Sequence, residues 1–311
     1  MERNTIRPLV SVIMNCYNSE RFLKEAIESV YAQDMGDWEI VFFDNHSTDR
    51  SAQIARSFDG KLRYFKNEGE TVSLGKARRL AIQEAQGKYI AILDCDDLWL
   101  SQKLSKQISR FERSGTDRAI GLCYSDAMRI SAEGKDLVPY SYERKLYSGD
   151  VYVRLMRDCF VDMSSALFLK GVFDAVGGFD EKYFLVEDWD LWLKIALDYD
   201  FLLVNEILVK VRIHNENGSK NLQRHNDEKT DLIKQLPIRN SMERETQEKT
   251  LQELRLRKKI EGFFVDNEPT VRFRNAVELF LCSVQNPLCA VSILRRFLNP
   301  KMISLYLRKF G

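Results

Sequence analysis

The 311-residue chain has almost no net charge: 47 Lys and Arg face 46 Asp and Glu, a balance of +1. No global field therefore selects nucleic acid as a partner. It has no run of about 18 uninterrupted apolar residues, so no bilayer span is expected. Its opening "MERNTIRPLVSV" has no apolar stretch of the signal-peptide kind, and none is expected. The six cysteines (16, 95, 123, 159, 282 and 289) include no CxxC pair, and several sit in apolar, strand-like runs. Reduced thiols in a cytoplasmic protein fit that usage, and a zinc site does not. No internal repeat or low-complexity segment is present. With 44% hydrophobic and 30% charged residues, the chain can build one large domain plus an appendage, or two domains.

The first 126 residues alternate between two periods. "LVSVIMNCY" (9–17), "WEIVFFD" (38–44), "KLRYF" (61–65), "YIAIL" (89–93) and "AIGLCYSDA" (119–127) read as strands. Between them, 19–33, 49–58, 75–86 and 101–113 read as helices. The first carries Phe22, Leu23, Ala26, Ile27, Val30 and Tyr31 on one stripe. Such alternation predicts an α/β fold with a doubly wound, mostly parallel sheet. Residues 127–220 are less regular: a strand, a Gly177-Gly178 turn, a loop, a helix over about 188–198, then one or two strands. Residues 222–261 are charge-rich and read as exposed helix.

In parallel sheets, ligands bind at the carboxyl ends of strands. Cys16-Tyr17-Asn18, Asp44-Asn45 and Asp94–Asp97 all fall there. Three carboxylates within four positions repel one another. Either one caps the next helix and the others are solvated, or the cluster holds a hard cation such as magnesium or manganese. Asp44 likewise has two readings, a helix cap or an acceptor for a base N–H.

The motifs in order narrow these options. "VSVIMNCYN", "VFFDNHSTDRS", "NEGETVSLGKARRLAI", "YIAILDCDDLWL" and "VGGFDEKYFLVEDWDLWLKIA" together resemble the family 2 glycosyltransferases over residues 8–220. These are inverting enzymes of the GT-A fold. The resemblance implies a catalytic domain over 1–220, with a nucleotide half at about 8–126 and an acceptor half at 127–220. Residues 221–311 would be a helical extension. Asn15-Cys16 stands where the family usually has Pro-Thr.

By that resemblance, Asp94-Cys95-Asp96 is a DxD motif. Asp96 would bind Mn2+ or Mg2+, Asp94 the metal or the ribose, and Asp97 would support them. Asp44 would take the N–H of uracil or thymine, with Tyr17 stacking on the base and Cys16 and Asn18 in the nucleotide turn. Arg78 would approach the nucleotide or diphosphate, and Arg79 is expected to be a solvated surface charge. Asp188 would be the general base, with Glu187 orienting it or the acceptor, at the start of a helix walled by Trp189 and Trp192. His214 would contact the metal or phosphate, whereas His46 and His225 read as surface. Ser164, Ser165, Gly178 and Trp189 would line the acceptor side.

The implied activity is metal-dependent transfer from a UDP-sugar, or a dTDP-sugar second, to a glycan or lipid-linked glycan in bacterial surface polysaccharide assembly. A nucleotidyltransferase also uses such a sheet, but it usually has a Gly-rich phosphate loop, and "MNCYNSE" has no glycine. A non-catalytic binding protein would be expected to lose these acids. Residues 279–311 hold no Asp or Glu and five basic residues: Arg295, Arg296, Lys301, Arg308 and Lys309. They read as amphipathic segments that either lie on the inner face of the cytoplasmic membrane or pack on the domain or a second copy in a homodimer.

Overall fold

The computed structural model of the chain describes residues 7–115, 118–214 and 222–265. The basic tail from 279 onward lies outside them. The chain divides into two compact units, with the break after Gly218.

In the first unit the described strands form one sheet. They are β1 (Val10–Cys16), β2 (Trp38–Asp44), β3 (Leu62–Lys66), β4 (Tyr89–Ile92), β5 (Leu98–Trp99), β6 (Ile120–Ser131), β7 (Asp136–Pro139), β8 (Leu167–Leu169) and β9 (Asp200–Ile213). Their order is β3-β2-β1-β4-β8-β6-β9-β5, with β7 on β6. The helices are α1 (Leu23–Tyr31), α2 (Ser51–Arg56), α3 (Leu74–Gln83), α4 (Lys103–Glu112), α5 (Tyr140–Glu143), α6 (Tyr152–Leu155), α7 (Lys170–Ala175) and α8 (Glu187–Asp198).

The first half forms as its pattern predicts. β1 and β2 are buried almost throughout, and their pairings with each other and with β3 and β4 are parallel. α1 buries Leu23, Ala26, Ile27 and Val30, the three branched side chains contributing about 1.5–3 kcal/mol each. The second half departs from a mostly parallel sheet. β8 enters antiparallel to β4 and β6, and only β6–β9 is parallel again. Three apolar residues carry no directional signal, so β8 could not be oriented from its sequence. Helix α8 packs close to β6 at Gly121, where a Cβ would stand 2.5 Å from Ile195.

Chain order runs from β1 outward to β2 and β3, then crosses back to β4 on the other side of β1. The crevice between β1 and β4 is therefore the topological switch point, where this class of sheet binds ligands. The short β5 pairs with β9, Leu98 opposite Lys210. That pairing brings the end of β9 to the acid turn that follows β4.

A polar residue lies unexpectedly inside. Lys103 on α4 is fully buried, its Nζ 3.9 Å from the centre of the Trp99 ring. Its Nζ has no hydrogen-bond partner among the described residues. Burial lowers its pKa from 10.5 to about 7. Between those values the unfolded chain holds one more proton than the fold, so stability rises with pH across that window. Lys103→Met should stabilise the protein near pH 7 by about 1–4 kcal/mol and remove that slope. Denaturant melts at pH 7 and 10 check both.

The second unit holds α9 (Leu222–Gln235) and α10 (Ser241–Val265). Lys258 reaches Asp227 at 2.6 Å and Gln247 the Ile233 carbonyl at 2.8 Å, so the helices run side by side in opposite directions. Ile233 is fully buried and Leu254 and Leu256 nearly so, which corrects the expectation of a plainly exposed helix. Among the described residues no helix is long and apolar enough to cross a membrane.

Candidate active site

The acid turn Asp94–Asp97 leaves β4 at the switch point, and its carboxylates face different partners. Asp94 accepts a 2.6 Å bond from Arg78 of α3. Asp96 Oδ2 lies 2.8 Å from His214 Nε2. Asp97 is buried, accepting from Ser164 Oγ at 2.6 Å and from the Arg212 amide at 2.9 Å. The Arg212 side chain also donates to the Asp96 carbonyl and to Glu25, both at 2.9 Å. Arg212 near the end of β9 and His214 just beyond it both lie against the Phe22 ring.

Arg78 makes a further long-range connection. It is 2% exposed and bonds Glu187 at 2.8 Å as well as Asp94, joining the acid turn to the first residue of α8. Burial raises the Glu187 carboxyl to about 8; the Arg78 charge opposes that rise and Asp188 adds to it. Asp188 is half-buried in the first turn of α8 and accepts from the Trp189 amide at 2.7 Å. Asp162 is pushed up to about 6 by burial and then by the charges of Asp94 and Asp188. It caps the 3-10 turn 163–165 through the Ser164 amide at 3.0 Å. Burial and the Asp94 charge raise Asp96, and burial and the Asp96 charge raise Asp97.

This crowding is the condition a divalent cation relieves. Among the described residues no three His, Cys, Asp or Glu side chains gather as a complete cage. Asp96 and His214 converge, while Asp94 turns to Arg78. One or two carboxylates completed by substrate phosphates is how magnesium-type sites are usually built, so the residues fit such an ion.

At the end of β2, Asp44 is 1% exposed. It accepts from the Ser47 amide at 2.7 Å and from the Tyr64 hydroxyl at 2.6 Å. It closes its own turn and does not cap α2. Tyr17 is 55% exposed, an open aromatic face. Asn18 is left-handed (φ 52) and accepts from the Thr48 amide at 2.8 Å, tying the first turn to the second. Cys16 is buried, and a hydrogen bond from Cys95, the largest cause, lowers its pKa to about 7 against the effect of burial.

Several expectations change. Ser164 and Ser165, expected on the acceptor side, are fully buried. Ser164 sits under the acid turn, accepting from the Asp94 amide at 3.2 Å. Trp189 does not wall the site: it is 3% exposed and donates to the Leu155 carbonyl at 2.6 Å, anchoring α8 to α6. Trp192 is fully buried as well. Arg79 is half-buried and not a solvated charge, donating to the carbonyls of Gly177 at 2.9 Å and Phe179 at 2.5 Å. Gly178 (φ +64) ends the turn after α7, where a Cβ would meet Phe173 at 2.6 Å. Asp162 was missed; its only trace in the sequence is an Asp two residues before a serine amide. His46 is exposed, as expected.

Known proteins share this arrangement of elements. The chain is 34% identical over 224 residues, 68% of its length and 73% of the other's, to an uncharacterized glycosyltransferase of Methanocaldococcus jannaschii. It is 28% identical to an Escherichia coli UDP-Glc:alpha-D-GlcNAc-diphosphoundecaprenol beta-1,3-glucosyltransferase, over 63% of this chain and 73% of that one. Some longer relatives are matched over only 33–37% of their length. The crystal structure of Staphylococcus aureus TarS 1-349 in complex with UDP-GlcNAc shares the fold with a TM-score of 0.66 at 16% identity, over 91% of this chain and 83% of that one. The profile of glycosyl transferase family 2 matches residues 11–177, a span that holds β1 to β4, the acid turn and the Gly177 turn, and with the Methanocaldococcus relative it shows that this chain belongs to glycosyl transferase family 2.

Proposed function

We propose that the chain transfers a sugar, with inversion, from a UDP-sugar to a hydroxyl of a glycan, including a lipid-linked glycan, in surface polysaccharide assembly. The observation that carries this reading is the Asp94–Arg78–Glu187 bridge. It couples the turn where a diphosphate would lie to the helix that presents Asp188. A donor-side event and an acceptor-side base are thus held in one rigid unit, which is what transfer between two substrates requires.

Asp188 takes the proton from the acceptor hydroxyl as its oxygen attacks the anomeric carbon. The nucleoside diphosphate leaves from the opposite face, so the configuration inverts. A retaining route would need a second carboxylate as nucleophile across the sugar ring. Glu187 holds the helix start in place through Arg78. Asp96 and His214 would hold Mn2+ or Mg2+, with Asp94 beside them; when bound, the ion neutralises charge on the departing diphosphate. On the base side Asp44 keeps lone pairs for a uracil or thymine N–H, and Tyr17 offers its open ring for stacking. A lipid-linked acceptor would be met at the inner face of the cytoplasmic membrane.

A thermal-shift panel of UDP-, dTDP- and GDP-sugars with manganese tests the donor. At a hundredfold excess over Kd a bound donor adds about 2.7 kcal/mol, or about 5–10 °C for a domain of this size. The largest shift is expected for UDP and the next for dTDP. A larger shift with GDP, or none with any donor, contradicts the base assignment.

A further inference from the structure

Lys103 takes no part in the chemistry assigned above, and its burial works against the fold. It is fully buried, as is Gln107 one turn further along α4. The Lys103 Nζ and the Gln107 Oε1 have no hydrogen-bond partner among the described residues. A buried amine of this kind destabilises a fold, and a hydrocarbon of similar size does not. Polar groups kept against stability mark places where function is served instead.

The contacts of this helix face lead to the acid turn. Lys103 Nζ stands 3.9 Å from the centre of the Trp99 ring, where its N–H groups meet the electron-rich face. The Trp99 indole N–H donates to the Ser164 carbonyl at 2.8 Å. Gln107 donates to the next carbonyl, that of Ser165, at 2.8 Å and to that of Cys123 at 3.2 Å. Ser164 in turn meets both ends of the acid turn. Its hydroxyl donates to Asp97 at 2.6 Å and accepts from the Asp94 amide at 3.2 Å. A positive charge over the indole face polarises the ring and strengthens its N–H as a donor, so the links reinforce one another.

We propose that Lys103 is a positioning residue: through Trp99 it holds the 163–165 turn beneath the acid turn, and so fixes where Asp94–Asp97 stand. Fully buried, the amine cannot itself reach a substrate. It acts on the site through Trp99 and Ser164. Its hold on the turn is independent of the transfer reading; its effect on turnover rests on that reading.

Lys103→Met separates this role from a packing role, because the two predict opposite signs. The full-length variant and wild type are compared at pH 6.5, where the amine is mostly charged. Denaturant melts, peptide-level hydrogen exchange and nucleoside diphosphate release are read on both. Global stability should rise, as argued above for this substitution. Amides in 94–97 and 163–166 should nevertheless exchange at least about 10-fold faster, through local opening. Diphosphate release should fall by about 10–100-fold, the effect of a misplaced site. Trp99→Phe keeps an aromatic face but removes the indole N–H. It should loosen the same amides, and adding Lys103→Met to it should loosen them little further. Lys106→Met, on the same helix but paired with Glu206, should leave both segments as in wild type. If Lys103→Met leaves the exchange of both segments unchanged, or if the effects of the two variants simply add, the positioning role is wrong. A fall in global stability with faster exchange throughout the first unit would make Lys103 a packing residue and overturn the proposal as well. Loosened segments with undiminished release would overturn the link to turnover. If wild type releases no diphosphate from any donor, the transfer reading fails, and the exchange data still decide whether Lys103 holds the turn.

Discussion

Asp188→Asn is expected to lower turnover by about 10²–10⁴, the usual range for a lost general base, while the fold and donor affinity stay close to wild type. Asp188 sits half-buried at the start of α8, so the amide fits the same space without leaving an unpaired charge. The neighbouring carboxylate makes a useful contrast. Glu187 is buried and ion-paired to Arg78 at 2.8 Å. Above about pH 8, where its carboxyl is charged, Glu187→Gln removes one of the two negative partners of a buried guanidinium and should cost stability, up to about 3–5 kcal/mol. The two variants should therefore separate: the first loses rate at constant melting temperature, the second loses melting temperature first. Steady-state rates and denaturant melts on both proteins read the difference. An Asp188→Asn protein with wild-type turnover would place the base elsewhere, with Glu187 next.

The second large effect is at Asp96. Asp96→Asn removes a charged ligand and leaves His214 facing an amide at what is now 2.8 Å from the carboxylate. A bound cation is worth several kcal/mol of transition-state charge stabilisation, so a loss of more than about 10²-fold is expected. EDTA should do the same to the wild type, and added manganese should restore it. Asp97→Asn should behave differently. Asp97 is buried and bonded to Ser164 and the Arg212 amide, so its loss should appear in stability and only indirectly in rate. Turnover that survives EDTA unchanged would remove the cation from the account.

Much of this was legible in the sequence because it depends on period and position. The parallel order β1 to β4, the helical stripe of α1 and the placing of the acid turn at a strand end follow from runs of apolar residues and their breaks. The short β5–β9 ladder brings His214, two residues after Arg212, to within 2.8 Å of Asp96 in that turn. What was not legible depends on which way a side chain points across a long separation. Arg78 is expected to approach the nucleotide or diphosphate, but no period in the sequence shows that it spans Asp94 and Glu187, which lies 109 residues away. Trp189 looks like a site wall by sequence neighbourhood, but its indole N–H needs a buried acceptor and finds the Leu155 carbonyl. Lys103 reads as a polar position on an amphipathic helix, yet it turns inward over Trp99. Ser164 is one small residue in an irregular stretch; no period marks it as the support under the acid turn.

The central claim is that this edge releases a nucleoside diphosphate as a sugar departs. The most direct measurement is product analysis of the wild-type protein with UDP-glucose, UDP-N-acetylglucosamine and dTDP-glucose, manganese and a glycan acceptor. The account predicts UDP or dTDP as the nucleotide product, lost with EDTA and strongly reduced in Asp188→Asn. Release of a nucleoside monophosphate with sugar 1-phosphate, or no turnover of any sugar nucleotide, would contradict it.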